Sequence, residues 1–245
     1  MSVSLLLVLS VCILVMAILY SSVGHGGASG YIAILALFSL APAAFKPTAL
    51  VLNITVSAIA TFYFSRAGHF SWHLFWPFAA TSIPFSFLGG CLRLPTHVYQ
   101  PLVGIVLLAS ACRLFPRKDP EAADVRRPST TAALGIGAVL GFLSGLTGVG
   151  GGIFLSPLLL LLGWARVKEV SAVAALFILV NSISGLLGHV GSLQAMPPYV
   201  PILAVAALAG GITGSFFGSV RLPASEIVRA LSVVLIIAGF KLLFV

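Results

Sequence analysis

The chain of 245 residues is 60% hydrophobic and only 7% charged, with a mean hydropathy of +1.16. These values exclude a soluble globular domain and describe a polytopic membrane protein with no room for a separate soluble domain. The net charge of +8 comes from basic residues scattered at segment ends and in one linker, which is a pattern of membrane topology and not of nucleic-acid binding.

The first segment, MSVSLLLVLSVCILVMAILY, has an apolar core without a basic leader and runs straight into a glycine motif, so it reads as a retained membrane segment. Taken in order, the apolar runs are 3–22, 27–44, 48–65, 73–91 and 98–114, then 130–147, 151–164, 169–188, 198–220 and 224–244. The expected fold is therefore an all-α bundle of eight to ten helices, about five apolar segments per half. Between the halves lies a polar, proline-bounded stretch from Pro116 to Pro128 that holds three of the five acids, Asp119, Glu121 and Asp124. This divides the chain into a first membrane repeat (1–115), a water-facing linker (116–129) and a second repeat (130–245). Cys12, Cys91 and Cys112 lie apart, without CxxC spacing, and read as small packing residues.

Two glycine runs interrupt the apolar pattern at matched places: Val23-Gly24-His25-Gly26-Gly27, and Thr147-Gly148-Val149-Gly150-Gly151 followed by Gly152. Glycine disfavours a helix interior by roughly 1 kcal/mol against alanine, so each run predicts a break. Broken backbone at membrane depth survives only inside protein or along a cavity. An apolar stretch that starts a helix follows each run, and helix N-termini with successive free amides form anion sites. A packing role, in which the glycines only let helices approach, is the competing reading.

The halves register on one another. The glycine motifs align at an offset of 124, while Asn53 with Asn181, Arg93-Leu94-Pro95 with Arg221-Leu222-Pro223, and Arg113 with Lys241 all align at 128. This predicts an internal repeat with four residues added in the second copy after its glycines. If the motifs are tips of re-entrant or broken elements, the halves are inverted and ten basic residues sort to the linker side against Lys46, Arg93 and Lys241 opposite. The positive-inside rule prefers that arrangement, with a cytoplasmic linker.

No carboxylate falls inside an apolar run, because Glu169 and Glu226 stand near segment starts and the other acids lie in the linker. That argues against a carboxylate proton relay, a carboxylate-lined cation pore and carboxylate-dependent enzyme chemistry, and no cofactor or metal cluster is expected. His69, His73 and His97 lie near segment ends. His25 stands within the first motif, where it would donate to an anion or exchange a proton, and His189 sits at a helix end. Uncharged donors surround the motifs: Ser21, Ser22, Ser29, Ser144, Thr147, Thr55, Ser57, Ser182 and Ser184, with Asn53 and Asn181 the costliest to bury. The candidate substrate site is thus Gly24, His25, Gly26, Gly27, Gly148, Gly150, Gly151, Gly152, Asn53, Asn181, Ser22 and Thr147. The rival readings are a cation or metal permease using His25 and His189, and a membrane-embedded enzyme, for which no nucleophile, base and metal converge.

With V-G-H-G-G near its start, G-L-T-G-V-G-G-G opening its second half and a polar central linker, the chain resembles the TauE/SafE-type sulfite and organosulfonate exporters, a group that includes 4-toluene sulfonate uptake permease-like transporters. The resemblance covers nearly the whole chain. It implies an inner-membrane transporter of small sulfur-containing anions such as sulfite, sulfoacetate or thiosulfate. Protons are candidate coupling ions, with His25 or the substrate itself carrying them, and a homodimer is compatible with the sequence.

Overall fold

The structure is a computed structural model that describes residues 2–38, 42–92, 101, 104–105, 107–112, 115, 125–189, 191 and 196–244. Arg93-Leu94-Pro95, His97, Arg113, Arg117, Lys118 and the linker acids Asp119, Glu121 and Asp124 lie outside the described residues, as does most of the expected segment 98–114.

The described secondary structure is entirely helical: α1 (Val3–Ser22), α2 (Ala28–Leu37), α3 (Pro42–Arg66), α4 (Trp72–Cys91), α5 (Thr130–Thr147), α6 (Gly152–Leu161), α7 (Val167–Gly188), α8 (Val200–Phe216), which a π-helical turn (Phe217–Arg221) prolongs, and α9 (Ala224–Phe244). Among the described residues, six stretches are long and apolar enough to cross a bilayer: α1, α4, α5, α7, Lys46–Arg66 of α3, and Val200–Arg221. The helices after the two glycine motifs are different. Each has 10 residues, about 15 Å at 1.5 Å per residue, half of the roughly 30 Å hydrocarbon thickness. The sequence expectation of one run over 27–44 is corrected here: α2 ends at Leu37, and a new helix starts at Pro42 and continues through Pro47. Pro42 suits a first helical position, and Pro47, one turn in, removes a single ladder bond.

Lipid removes most of the hydrophobic drive for helix association, so close packing and hydrogen bonds must hold the bundle. Two glycine ladders do this. Gly137, Gly141 and Gly145 of α5 lie against the carbonyls of Phe78, Ser82 and Ser86 of α4, with no space for a β-carbon. Gly210, Gly214 and Gly218 lie in the same way against the carbonyls of Leu14, Ile18 and Ser22 of α1. In both pairs the residue numbers climb together, so α4 runs parallel to α5 and α1 parallel to α8. Between them α3 packs on α7 in the opposite sense: Asn53 meets Ser182, whereas Ala60 and Phe64 meet Ala172 and Ala175. Hydrogen bonds reinforce the α4 contacts, from Ser86 Oγ to Asn181 O (2.8 Å), Ser184 Oγ to Ile83 O (2.6 Å) and Thr81 Oγ1 to Leu134 O (2.7 Å).

Chain direction fixes the ends of the bundle. The amide of Arg126, ahead of α5, donates to Gly163 O, just past α6, at 3.0 Å. The α5–motif–α6 unit is therefore a hairpin that returns to the end it left. That end also gathers His69, which bonds Ser219 O at 3.1 Å, and a surface lined by Gly68, His69, Arg166, Lys168 and Glu169. Outward-facing Val3, Leu7, Val11, Val15, Phe62, Phe85 and Val205 form the apolar surface that a bilayer requires.

The α4–α5 ladder is sensitive to a single side chain. Gly141→Leu should lower the melting midpoint of the detergent-solubilised protein by several degrees, in line with overpacking costs of about 1–3 kcal/mol. Gly135→Leu, at a position on the same helix with nothing near an added β-carbon, should leave it unchanged or slightly raised.

Candidate functional site

Each interruption is built by left-handed glycines. Gly24 (φ +76°) and Gly27 (φ +99°) turn the chain from α1 into α2, and Gly148, Gly150 and Gly151 (φ +73°, +84° and +79°) turn it from α5 into α6. Space matters as much as φ. A β-carbon on Gly26 would collide with the Asn53 side-chain oxygen, and one on Gly150 with the Asn53 amide nitrogen and Ser182 Oγ.

Asn53, fully buried on α3, is the bridge between the motifs. Its Oδ1 accepts from the Ala28 amide, the first residue of α2, at 3.1 Å. Its Nδ2 donates across the interface to Val149 O (3.3 Å) and to Ser182 Oγ on α7 (2.8 Å). His25 makes a second bridge. Its Nε2 lies 3.1 Å from Gly152 O and 3.0 Å from Ser156 Oγ, both in the first turns of α6. A carbonyl only accepts, so a hydrogen bond to Gly152 O needs the proton on Nε2, whereas the Ser156 hydroxyl fits either role. His25 Nδ1 is buried and has no partner.

The two helix ends open on a shared cavity lined by Tyr20, His25, Gly26, Gly27, Ala28 and Ser29 from the first motif, Val149 and Ile153 from the second, and Ile178 from α7. The empty space is about 180 Å³, much of it continuous with narrow crevices, and it holds about one water in this conformation. Tyr20 OH and Ser29 Oγ, 2.8 Å apart, present a hydroxyl pair there. Among the described residues, the amides of Gly26, Gly27 and Ser29 donate to no protein acceptor, and neither do those of Gly150, Gly151, Gly152 and Ile153. Both sets of unbonded donors stand at the positive ends of helix dipoles, and of the second motif Val149 and Ile153 line the cavity.

Of the twelve expected site residues, His25, Gly26 and Gly27 line this cavity, whereas Gly24, Gly148, Gly150, Gly151, Gly152, Asn53, Asn181, Ser22 and Thr147 are not among its lining residues. Asn181, also buried, donates to Ser82 Oγ (3.0 Å) and Phe177 O (2.8 Å) at the α4–α7 contact. Ser22 Oγ and Thr147 Oγ1 bond the preceding turns of their own helices, at Leu19 O and Leu143 O. His189 likewise holds Gly185 O on α7. Among the described residues no three His, Cys, Asp or Glu side chains cluster. Glu226 pairs with Arg229 at an exposed position.

Sequence reasoning passed over Tyr20, Ser156 and Lys46. Lys46 lies two helical turns before Asn53 on the same face of α3, donates to Leu146 O at 2.9 Å and packs on Gly148, so a cation stands beside the second motif. Its signal was available as a basic residue seven positions from a buried asparagine, a spacing that shares a helix face.

The profile of the Sulfite exporter TauE/SafE family matches residues 9–242. The chain belongs to that family. It is 42% identical over 240 residues to the probable membrane transporter protein y4hK of Sinorhizobium fredii, covering 96% of this chain and 97% of the relative. More distant similarity extends to a probable membrane transporter protein of Methanocaldococcus jannaschii, 28% identical over 145 residues (58% of this chain, 54% of the relative). Bacillus subtilis YunE, also named a probable membrane transporter protein, is 30% identical over 114 residues (46% of this chain, 41% of the relative). No solved structure matches the chain.

Asn53→Ala should destabilise the protein strongly, because it strands the Ala28 amide and the Ser182 contact at about 1–3 kcal/mol for each buried group left unpaired. Asn53→Asp should be no better, since an ionised carboxylate cannot donate to Val149 O. Thr55→Val, which removes only a bond to its own helix at Val51 O, should cost less than about 1 kcal/mol. Thermal melting of the three variants orders them.

Proposed function

We propose that this chain is a secondary transporter that exports a small sulfur-containing oxyanion or sulfonate across the inner membrane by alternating access. The observation that carries the reading is the pair of unbonded amide sets at the starts of two short helices, with residues of both motifs lining one cavity. An anion there meets donors at both helix N-termini, the hydroxyls of Tyr20 and Ser29, and no carboxylate among the cavity-lining residues. The family to which the chain belongs is named for sulfite export, and the relatives are named membrane transporters, which supports the same class of cargo.

In this reading the halves are inverted repeats with the linker cytoplasmic. The antiparallel run of α3 and α7, which hold equivalent asparagines, supports it, and so does the exchange of partners by which α4 packs on α5 as α8 packs on α1. The anion sits where the repeats meet, and rocking of one half against the other opens it to each side in turn. The present cavity, with room for about one water, corresponds to a closed stage of that cycle. Binding through dipoles and amides, with Lys46 near the second motif but held by Leu146 O, leaves the anion loosely enough bound to depart. An inward-negative potential itself favours anion exit.

Purified protein in proteoliposomes should carry sulfite or a small sulfonate well above the rate of protein-free vesicles, and the Gly26→Ala/Gly150→Ala double variant should lose most of that flux while still inserting. Flux of a divalent metal in place of the anions, or anion flux untouched by the double variant, would refute the site.

A further inference from the structure

The geometry points to a cargo more specific than an anion: the substrate form that this cavity takes is a singly charged oxyanion that still carries an acidic O–H, with His25 Nδ1 as the acceptor of that proton's hydrogen bond. This rests on the anion-transport reading above and adds the protonation state of what is carried.

The argument begins from the tautomer. Gly152 O, a pure acceptor, lies 3.1 Å from His25 Nε2, so Nε2 carries the hydrogen of the neutral ring. Ser156 Oγ, at 3.0 Å from the same nitrogen, completes that side. The other nitrogen is then a bare lone pair. It is buried, on a residue only 2% exposed, without a partner among the described residues, and His25 is one of the residues that line the cavity. The wall also offers donors that suit an anion: among the described residues the amides of Gly26, Gly27, Ser29 and Ile153 have no protein acceptor. A site with several donors and one acceptor matches a small oxyanion with several bare oxygens and one hydroxyl. A fully deprotonated dianion would set a charged oxygen against the Nδ1 lone pair, and a monoanion without a hydroxyl would leave Nδ1 unpaired.

Other titrating groups do not supply this proton. From α1 the cavity receives Tyr20, whose hydroxyl is engaged with Ser29. On α2, the Tyr31 hydroxyl lies beside Gly27, buried and without a partner among the described residues, and Tyr31 is not a lining residue of the cavity. From α3, Lys46 is held against Leu146 O. The second motif, α6 and α7 face His25 with Val149, Ile153, Ser156 and Ile178, none of which titrates. The proton therefore travels on the substrate, and anion and proton leave together without a relay of buried acids.

Proteoliposome flux of sulfite and of methanesulfonate separates the cases. Sulfite gains or loses its last proton near neutral pH, whereas methanesulfonate is a monoanion without a hydroxyl throughout. With protein-free vesicles subtracted, sulfite flux should rise several-fold from mildly alkaline to mildly acidic pH, and acidic sulfite should exceed methanesulfonate by about tenfold or more. In His25→Ala the two anions should converge to within about twofold. Equal transport of both at every pH would overturn the inference while leaving anion transport standing. A parallel rise of both as pH falls would put the proton on the imidazole and overturn it too. Absence of flux for either anion would remove the transport reading and this inference with it. The wild-type comparison decides the question even if His25→Ala does not fold.

Discussion

The architecture depends on how two interruptions of the helical backbone are satisfied inside an apolar bundle. A helix broken within a membrane exposes amides and carbonyls that lipid cannot bond, and each unsatisfied group costs several kcal/mol. Asn53 answers for both breaks at once. With one side-chain amide it caps the start of α2 and accepts no freedom to leave, because it also holds Val149 O and Ser182 on the opposite half. Gly26 and Gly150 follow from this constraint, since both loops bring their backbones against Asn53 with no space for a β-carbon. The parallel glycine ladders of α4–α5 and α1–α8 then fix the frame in which α3 and α7 meet.

Asn53 satisfies only part of the broken backbone, and the remainder is what gives the fold its chemistry. Amides left unbonded in a buried cavity are destabilising for an empty protein and favourable for an anion-bound one. His25 converts this general affinity into a directional one by spending one nitrogen on the α6 backbone and leaving the other open. Because Val149 takes the equivalent place in the second motif, the cavity is chemically lopsided although its frame is nearly symmetric in contacts. Under the proposed anion-transport reading, this asymmetry gives the carried ion one preferred orientation.

Much of the frame was legible in the sequence for a simple reason: hydropathy and length determine where helices cross. The run 130–147 coincides with α5 and 224–244 with α9, and the glycine motifs fall at the breaks that separate α1 from α2 and α5 from α6. Asn53 was legible because a buried amide in an apolar run must have partners. The rest was hidden for physical reasons. Asn181 occupies an equivalent sequence position, yet its amide turns to Ser82 on α4, and nothing in one chain's pattern reveals which of two neighbouring helices a side chain will bond. Thr147 and Ser22 looked like site donors but bond their own helices, a local choice that competes with every longer-range contact. The restart of the helix at Pro42 went unseen because the run 27–44 is apolar on average, although Pro42 itself, suited to a first helical position, marks the start.

The central claim is that the unbonded amides of the two motifs hold the anion. Selective 15N-glycine labelling of the purified protein, read by NMR during titration with sulfite, tests it most directly. The account predicts saturable downfield shifts of the Gly26, Gly27, Gly150, Gly151 and Gly152 amide resonances, with Gly68 and Gly135 unmoved. Sulfite binding or flux with those five resonances unchanged would contradict it.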